Sequence, residues 1–467
     1  MKTLSLKNNS IHYLLLFQVI AMVLLTSCDS FVEVDLPKSQ LTTVSVFDNY
    51  STANAALSDI YSKMREQGLL SGSTSGASNL LGNYADELYC LASPGDPTLP
   101  FYTNALLPAN STITEYWNLS YNQIYAANAV KEGVELSNKL TVKEKEQLKG
   151  EALFIRAIVH FYLANLYREI PYIVSTDRKI NNEASKIPVK DIYRNIIADL
   201  ENAAAMLAQD YLNAGRVRPN QFAAKALLAR VYLYNESWAE ASNAASAVLN
   251  ASNLYTIEDN ASLVFLKDSK ETIWQFQPSV AGKNTDEASI FIFSSGPPPF
   301  VALTNNLIES FDQNDLRKAN WTKALSDGTD TWYHAYKYKE FENTAASMEY
   351  SIIFRLAEQY LIRAEARAHQ GDLIGAKEDL NRIRKRAGLL DTDAVSAQQI
   401  VDAVLRERRW ELFTEFGHRF FDLKRSGQID NVLDPVKTGW NSTDVLFPLP
   451  QNELSINPNI RPQNSGY

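Results

Sequence analysis

Arg406-Glu407-Arg408-Arg409-Trp410-Glu411-Leu412, then Glu415, then Gly417-His418-Arg419-Phe420-Phe421-Asp422-Leu423-Lys424-Arg425, is the most charge-dense part of the chain. Glu407, Glu411 and Glu415 alternate with Arg406, Arg408, Arg409 and Arg419 at spacings that allow i,i+3 and i,i+4 pairs along a helix. Arginine also matches carboxylates bidentately, so a clamp for an anionic ligand is the competing reading. The spacing favours internal ion pairs that hold the last helix. Removing one partner of such a pair, if buried, costs about 3–5 kcal/mol. Ser396-Ala397-Gln398-Gln399 caps that helix, which is expected to run to Phe416 and to end at Gly417. Just before it, Arg355 to Gln370 and Leu373 to Ala387 predict a helical hairpin, punctuated by Gly371 and closed by Gly388.

Outward from this region the chain reads as amphipathic helices joined by long loops. Apolar periodicity predicts helices over 47–67, 114–136, 142–166, 191–207, 222–234 and 238–249. Thr141-Val142-Lys143-Glu144 and Ser237-Trp238-Ala239-Glu240 read as capping boxes. The stretch 68–110 is rich in Gly and Pro and reads as loop. Residues 255–350 change character, with a strand-like Thr272-Ile273-Trp274-Gln275-Phe276, the run Gly296-Pro297-Pro298-Pro299, and many aromatic and polar residues. The tail from Asp444 is extended and Pro-rich. Ala229 and Ala241 recur as Ala364 and Ala376 at a constant offset, each pair in two helices joined by a short turn. Small residues there let helix backbones approach closely. The pattern resembles a tetratricopeptide unit, although any antiparallel helix pair would share it.

The N-terminus divides as a signal peptide should. Lys2 and Lys7 are positive, Ile11 to Leu25 are mostly apolar, and Thr26-Ser27 precede Cys28. The apolar run is shorter than the ~20 residues of a spanning helix. Leu24-Leu25-Thr26-Ser27-Cys28 resembles the lipobox of bacterial lipoproteins, which would place a diacylglycerol on the Cys28 sulfur. With Cys28 lipidated, Cys90 has no partner for a disulfide, since the chain has two cysteines. The formal charge of −9 loses two lysines and no acid with residues 1–27, and becomes −11. That balance argues against nucleic acid as a partner. Hydrophobic content of 45% suits a globular protein with a large core, and 23 tyrosines supply more aromatic surface than usual.

The C-terminal third carries a family resemblance. It reads Arg355-Leu356-Ala357-Glu358, Leu361-Ile362-Arg363-Ala364-Glu365-Ala366, and Arg386-Ala387-Gly388. The charged stretch follows, then Phe447-Pro448-Leu449-Pro450, Asn457-Pro458-Asn459 and Gln463-Asn464-Ser465-Gly466-Tyr467. Gly150-Glu151-Ala152-Leu153-Phe154-Ile155-Arg156-Ala157 and Ile170-Pro171-Tyr172 agree. Behind a lipobox and in this order, these motifs resemble the SusD/RagB family of outer-membrane nutrient-binding lipoproteins of the Bacteroidetes, across essentially the whole mature chain. The resemblance implies a mainly α fold of tetratricopeptide-like helix pairs in a superhelical scaffold, with a loop-rich ligand-binding region and a few short strands. It implies a signal peptide over 1–27, a lipidated tether over 28–45, and a body over 46–467. That body has a helical half (46–254), a loop-rich insert (255–350) and a signature region (351–467). The implied function is non-catalytic capture of a nutrient, foremost an oligosaccharide, for a SusC-like TonB-dependent barrel transporter. The lipid would hold the protein on the outer face of the outer membrane. Alternatives are a member that binds peptides or glycoprotein fragments, and a tetratricopeptide-like scaffold that binds only protein.

No HExxH, no G-x-S-x-G and no Cys/His pair with a partner is present, and no cofactor is implied. Asp86-Glu87 are adjacent, which says nothing of the ~5–10 Å separation that glycoside hydrolysis requires. Asp327-Gly328-Thr329-Asp330 and Asp391-Thr392-Asp393 do not continue as EF-hand loops and read as solvated turns, so no metal is assigned. A sugar site should be aromatic, since sugar rings stack their C–H faces on flat side chains. The loop aromatics are the candidates: Tyr84, Tyr89, Phe101 and Tyr102 in the first loop region, and Phe300, Trp321, Trp332 and Tyr333 in the second. Trp117, Trp238, Trp274 and Trp410 lie on helix or strand patterns and read as core.

Overall fold

The apolar stripes legible in the sequence become the buried faces of long helices. The structure, a computed structural model, describes residues 43–467. Cys28, the expected signal segment and the tether as far as residue 42 lie outside the described residues. Residues 46–467 form one compact unit. Helix α1 (Tyr50–Glu66) buries Ala53, Leu57, Ile60 and Met64, four residues of one stripe. Helix α2 (Ala77–Tyr84) forms inside the stretch expected to be loop. Ala77, Leu80, Leu81 and Tyr84 stand at i, i+3, i+4 and i+7, and burial of all eight residues outweighs the local glycines.

Helices α3 (Ser111–Leu136), α4 (Val142–Tyr167), α5 (Val189–Met206), α6 (Gln221–Tyr234) and α7 (Trp238–Leu249) pack in chain order. The capping box of α4 is formed: Glu144 N donates to Thr141 Oγ1 at 3.3 Å, and Thr141 N donates to the Glu144 carboxylate at 2.8 Å. The one expected at Ser237 is not. Ser237 caps nothing, and its hydroxyl instead accepts from Asn235 Nδ2 at 3.0 Å across the tight turn that holds Glu236 at positive φ.

Helix α8 (Leu356–His369) packs on α7 although residues 250–355 lie between them. Ala229, Ala241, Ala245, Ile362 and Ala366 from α6, α7 and α8 share one apolar cluster. The helix stack is therefore interrupted by the middle segment and resumes after it. Helix α9 (Leu373–Arg386) completes the expected hairpin with α8, and Gly371 and Gly388 take positive φ as required. Ala364 and Ala376 are fully buried, as are Ala229 and Ala241 at the corresponding positions of the earlier pair.

The middle segment, with one strand from the first loop region, forms two antiparallel sheets. Strands β1 (Leu88–Cys90), β3 (Val301–Leu303), β4 (Thr322–Ser326) and β5 (Thr331–Ala335) form one, in the order β1-β3-β5-β4. Strands β2 (Thr272–Phe276) and β6 (Ser351–Arg355) form the other, fully buried, with Trp274 opposite Phe354. Short helices at Asp286–Phe291, Asn305–Ser310 and Leu316–Trp321 connect the strands.

Helix α10 (Ala397–Leu412) ends earlier than expected. Thr414, Phe416 and Gly417 all take positive φ before α11 (His418–Arg425) begins, so Gly417 opens a helix instead of closing one. The break persists because its amides find acceptors outside the helix. Thr414 N donates to Glu87 Oε2 at 3.2 Å, and Phe416 N donates to Ser78 Oγ at 3.0 Å. A Cβ on Gly417 would stand 2.2 Å from Leu81 Cδ1, so α2 packs where only glycine fits. The tail is tied down by its own amides. Gln463 exchanges two hydrogen bonds with the Leu449 backbone, and Asn464 Nδ2 donates to Phe447 O and Tyr167 O.

Candidate functional site

Strand alternation sorts the aromatic residues of the four-stranded sheet. Tyr89 stands opposite Ala302, Leu303 opposite Tyr333, and Leu325 opposite Trp332. Leu91 N donates to Phe300 O at 2.9 Å and extends the ladder by one pair. With a period of two, Leu88, Val301, Leu303, Tyr333 and Ala335 face the apolar core. Tyr89, Leu91, Phe300 and Trp332 fall on the other face. Phe300 is 43% exposed and Leu91 39%. The backbone at Gly296 lies flat against Trp332: a Cβ there would come within 2.0 Å of the indole. That contact fixes the Trp332 ring and the path of Pro297-Pro298-Pro299 into Phe300. Tyr102 approaches Tyr89 from the Leu99–Tyr102 turn, and its ring carries the Lys437 ammonium 4.3 Å from the centroid.

A cleft of about 280 Å³ opens beside Phe300. Its polar lining comes from Asn79 on α2, Asp96 and Thr98 in the following turn, and Thr112 and Glu115 on α3. Asp96 Oδ1 accepts from Thr98 N at 2.8 Å, which orients the carboxylate. Asn79 Nδ2 donates to Thr74 O at 2.7 Å, and Glu115 is exposed. An aromatic face edged by carboxylates, hydroxyls and a carboxamide suits a polyhydroxylated ring. The face stacks on C–H, and the edge reads O–H. No local pattern marks Leu91, Asn79, Asp96 or Glu115, because only the fold gathers them. Among the described residues no three His, Cys, Asp or Glu side chains converge as a metal site, and no helix is long and apolar enough to cross a membrane.

A family model described as "Starch-binding associating with outer membrane" matches residues 85–233, and one described as "SusD family" matches residues 270–467. The chain belongs to the SusD/RagB family. "SusD-like protein P25" of Formosa agariphila is 23% identical over 94% of this chain and 97% of its own length. "Starch-binding protein SusD" of Bacteroides thetaiotaomicron is 37% identical over 32% of this chain and 26% of its own length. A SusD superfamily protein from Bacteroides vulgatus superposes with a TM-score of 0.79 at 22% identity, covering 90% of this chain and 99% of that one. A laminarin-binding SusD-like protein superposes with a TM-score of 0.75 at 23% identity, covering 89% and 99%. As a SusD/RagB member the chain is a binding protein and not an enzyme, of a family associated with the outer membrane.

Three of the eight candidate aromatics are core, and a fourth, the partly buried Tyr333, turns toward the core and away from the outer sheet face. Tyr84 is fully buried among Phe101, Phe420, Trp440 and Phe447, and its hydroxyl donates to Asp444 O at 2.9 Å. Phe101 is buried in the same cluster, so the SusD/RagB tail motif at Phe447 closes a core rather than a site. Trp321 is fully buried, donates from Nε1 to Ala261 O at 2.8 Å, and lies beside the cations of Lys337, Arg355 and Arg386. Trp117, Trp274 and Trp410 are core as read, but Trp238 is partly exposed and stacks on His369 at 3.9 Å.

The charged stretch is an internal network, but not along its own helix. Arg317, Arg355 and Arg386 converge on the Glu411 carboxylate. Arg317 also bonds Glu407 at 2.7 Å, Arg355 bonds Glu415 at 2.8 Å, and Arg408 bonds Asp422 at 2.7 Å. Arg409 and Arg419 both hold Asp86, at 2.8 and 2.6 Å. Arg406 joins no ion pair among the described residues. It is exposed, with its guanidinium 5.9 Å from the Trp410 ring centroid. The helical spacings that suggest local pairs therefore serve partners on the insert, β6, α9, α11 and the first loop.

Asp86 and Glu87 behave oppositely. Burial raises the Asp86 carboxyl, but the Arg419 and Arg409 guanidiniums outweigh it and hold it below its ordinary value. Burial, with the neighbouring Asp86 charge, pushes Glu87 up to about 7, and its Oε1 has no hydrogen-bond partner among the described residues. The folded value exceeds the ordinary 4.5. The stability Glu87 contributes is thus fully present below pH 4.5 and is lost as pH rises through about 7. A Glu87→Gln variant should therefore melt higher than wild type at pH 8, by about 1–3 kcal/mol in stability, with the difference gone at pH 5. Thermal unfolding at both pH values checks this, and an equal difference at both would contradict it.

Proposed function

We propose that this protein captures a glycan on the outer face of the four-stranded sheet and delivers it to a SusC-like TonB-dependent barrel transporter. A lipid on Cys28 would hold it to the outer surface of the outer membrane. The observation that carries the reading is the row Tyr89, Phe300 and Trp332 on one sheet face, beside a cleft lined by Asp96, Thr98 and Glu115. A laminarin-binding relative of the same fold and a starch-binding relative in sequence make glucans the first ligands to try. Two acyl chains on one cysteine meet the need for two membrane signals. Tethering would keep the body at high effective concentration over its transporter.

Titration calorimetry with laminarin-type and starch-type oligosaccharides, against a peptide panel, tests the ligand class. Saccharide heat without turnover is the expected result. Heat with peptides alone would move the protein to the peptide-binding reading, and no heat with either would leave a protein scaffold. A Cys28→Ala variant should leave the membrane fraction and fail to label on intact cells.

A further inference from the structure

A second cavity lies away from the sheet face. A cavity of about 620 Å³ opens between α3, the loop after Pro171, the short helix Arg178–Asn182 and the tail near Glu453. This is within the range of ligand pockets. Its floor is aromatic: Trp117 and Tyr121 lie 4.8 Å apart at 47°, and the Tyr121 hydroxyl donates to Pro171 O at 2.9 Å. Tyr125 is 41% exposed at its edge. The side chains of Asn118, Asn122 and Asn182 line it and hydrogen-bond no described protein group.

The lining selects a ligand class. A carboxamide both donates and accepts, as a sugar hydroxyl does, so free amides match alcohols group for group. An anion would want several cations, but Arg178 faces the same cavity as Glu453 and the two charges offset. The position of the cavity adds to this. Ser111, Glu115, Asn118, Asn122 and Tyr125 recur at i, i+4, i+7, i+11 and i+14, one stripe of α3. Ser111 and Glu115 line the cleft beside Phe300, and the other three line this cavity. At 1.5 Å per residue the stripe is about 21 Å long, the length of several sugar rings in a chain.

Resting on the glycan-capture reading above, we propose that this cavity is a second saccharide subsite, and that one glycan chain runs along α3 from the Phe300 cleft to Tyr125. The second contact then converts to an intramolecular one, so affinity grows with chain length. The experiment is calorimetry with laminarin-type and starch-type gluco-oligosaccharides in a length series from the disaccharide upward. Wild type is compared with Asn122→Ala/Tyr125→Ala, whose side chains are exposed and whose fold should be unaffected. The variant should match wild type on the shortest ligands and lose about tenfold on the longest. The proposal is overturned if the variant follows wild type at every length. Soaking the longest binder into crystals gives a second reading: sugar confined to the cleft would also overturn it. If a Phe300→Ala/Trp332→Ala variant kept full binding while the α3 variant lost it, the sheet face would be refuted and the cavity would stand.

Discussion

Glu411→Ala should lower the stability of this protein by about 3–5 kcal/mol, a large part of what a domain has. The Glu411 carboxylate accepts from Arg317, Arg355 and Arg386, and all four side chains are essentially inaccessible to water. Its backbone carbonyl also accepts from Lys337 Nζ at 2.9 Å and Arg355 Nη2 at 2.6 Å. Deleting the anion leaves three guanidiniums crowded in a dry site. The remaining acids Glu271, Glu407 and Glu415 each already serve a cation. Burial alone would raise the Glu411 carboxyl, but Arg386, Arg355 and Arg317 more than reverse this and hold it well below the usual range. Its contribution is therefore present at neutral pH and lost only as pH falls through that low value, the opposite sign to Glu87. Glu411→Gln keeps the shape and should fall between the two. Arg406→Ala, which breaks no pair, should change stability by less than about 0.5 kcal/mol. Urea unfolding of the three variants checks the order, and a Glu411→Ala midpoint equal to wild type would refute the network.

This network shows what the sequence could and could not convey. Alternating Glu and Arg at helical spacing correctly announced charges that satisfy one another. It named the wrong partners, because spacing along one helix reports only that helix. The true partners, Arg317, Arg355 and Arg386, lie on three other segments, and a buried acid draws on whichever cations the fold brings. The long helices were legible because each carries a 3.6-residue apolar period. The glycines around helix α2 mask its short but regular stripe, so a local reading places it, and Tyr84 with it, in a loop. Trp321 was misplaced because it ends a six-residue helix, too short to show a period. Trp332 and Phe300 were found as aromatics, but their shared face depends on the register of β1, β3 and β5, which no local pattern reveals.

Phe300→Ala combined with Trp332→Ala should weaken saccharide binding by about 30- to 100-fold with little loss of stability. The lower figure follows from about 1 kcal/mol for each stacked aromatic, within the range of about 0.5–1.5 kcal/mol for such contacts, and the upper from about 1.4 kcal/mol each. Phe300 is 43% exposed, and Trp332 is half-buried over Gly296 on the sheet face turned away from the core, so neither fills the core. Trp321→Ala is the informative contrast. That indole is fully buried, hydrogen-bonded to Ala261 O, and packed beside three cations of the ion network. Its removal should cost about 3–5 kcal/mol in folding and reach the ligand only through loss of folded protein. Measured together, the variants separate contact from scaffold. The surface pair should lose affinity at an unchanged melting temperature, and Trp321→Ala should lose melting temperature while its folded fraction still binds. Full affinity in the surface pair would remove the sheet face from the site, and with it the reason for assigning the aromatic row a role in capture.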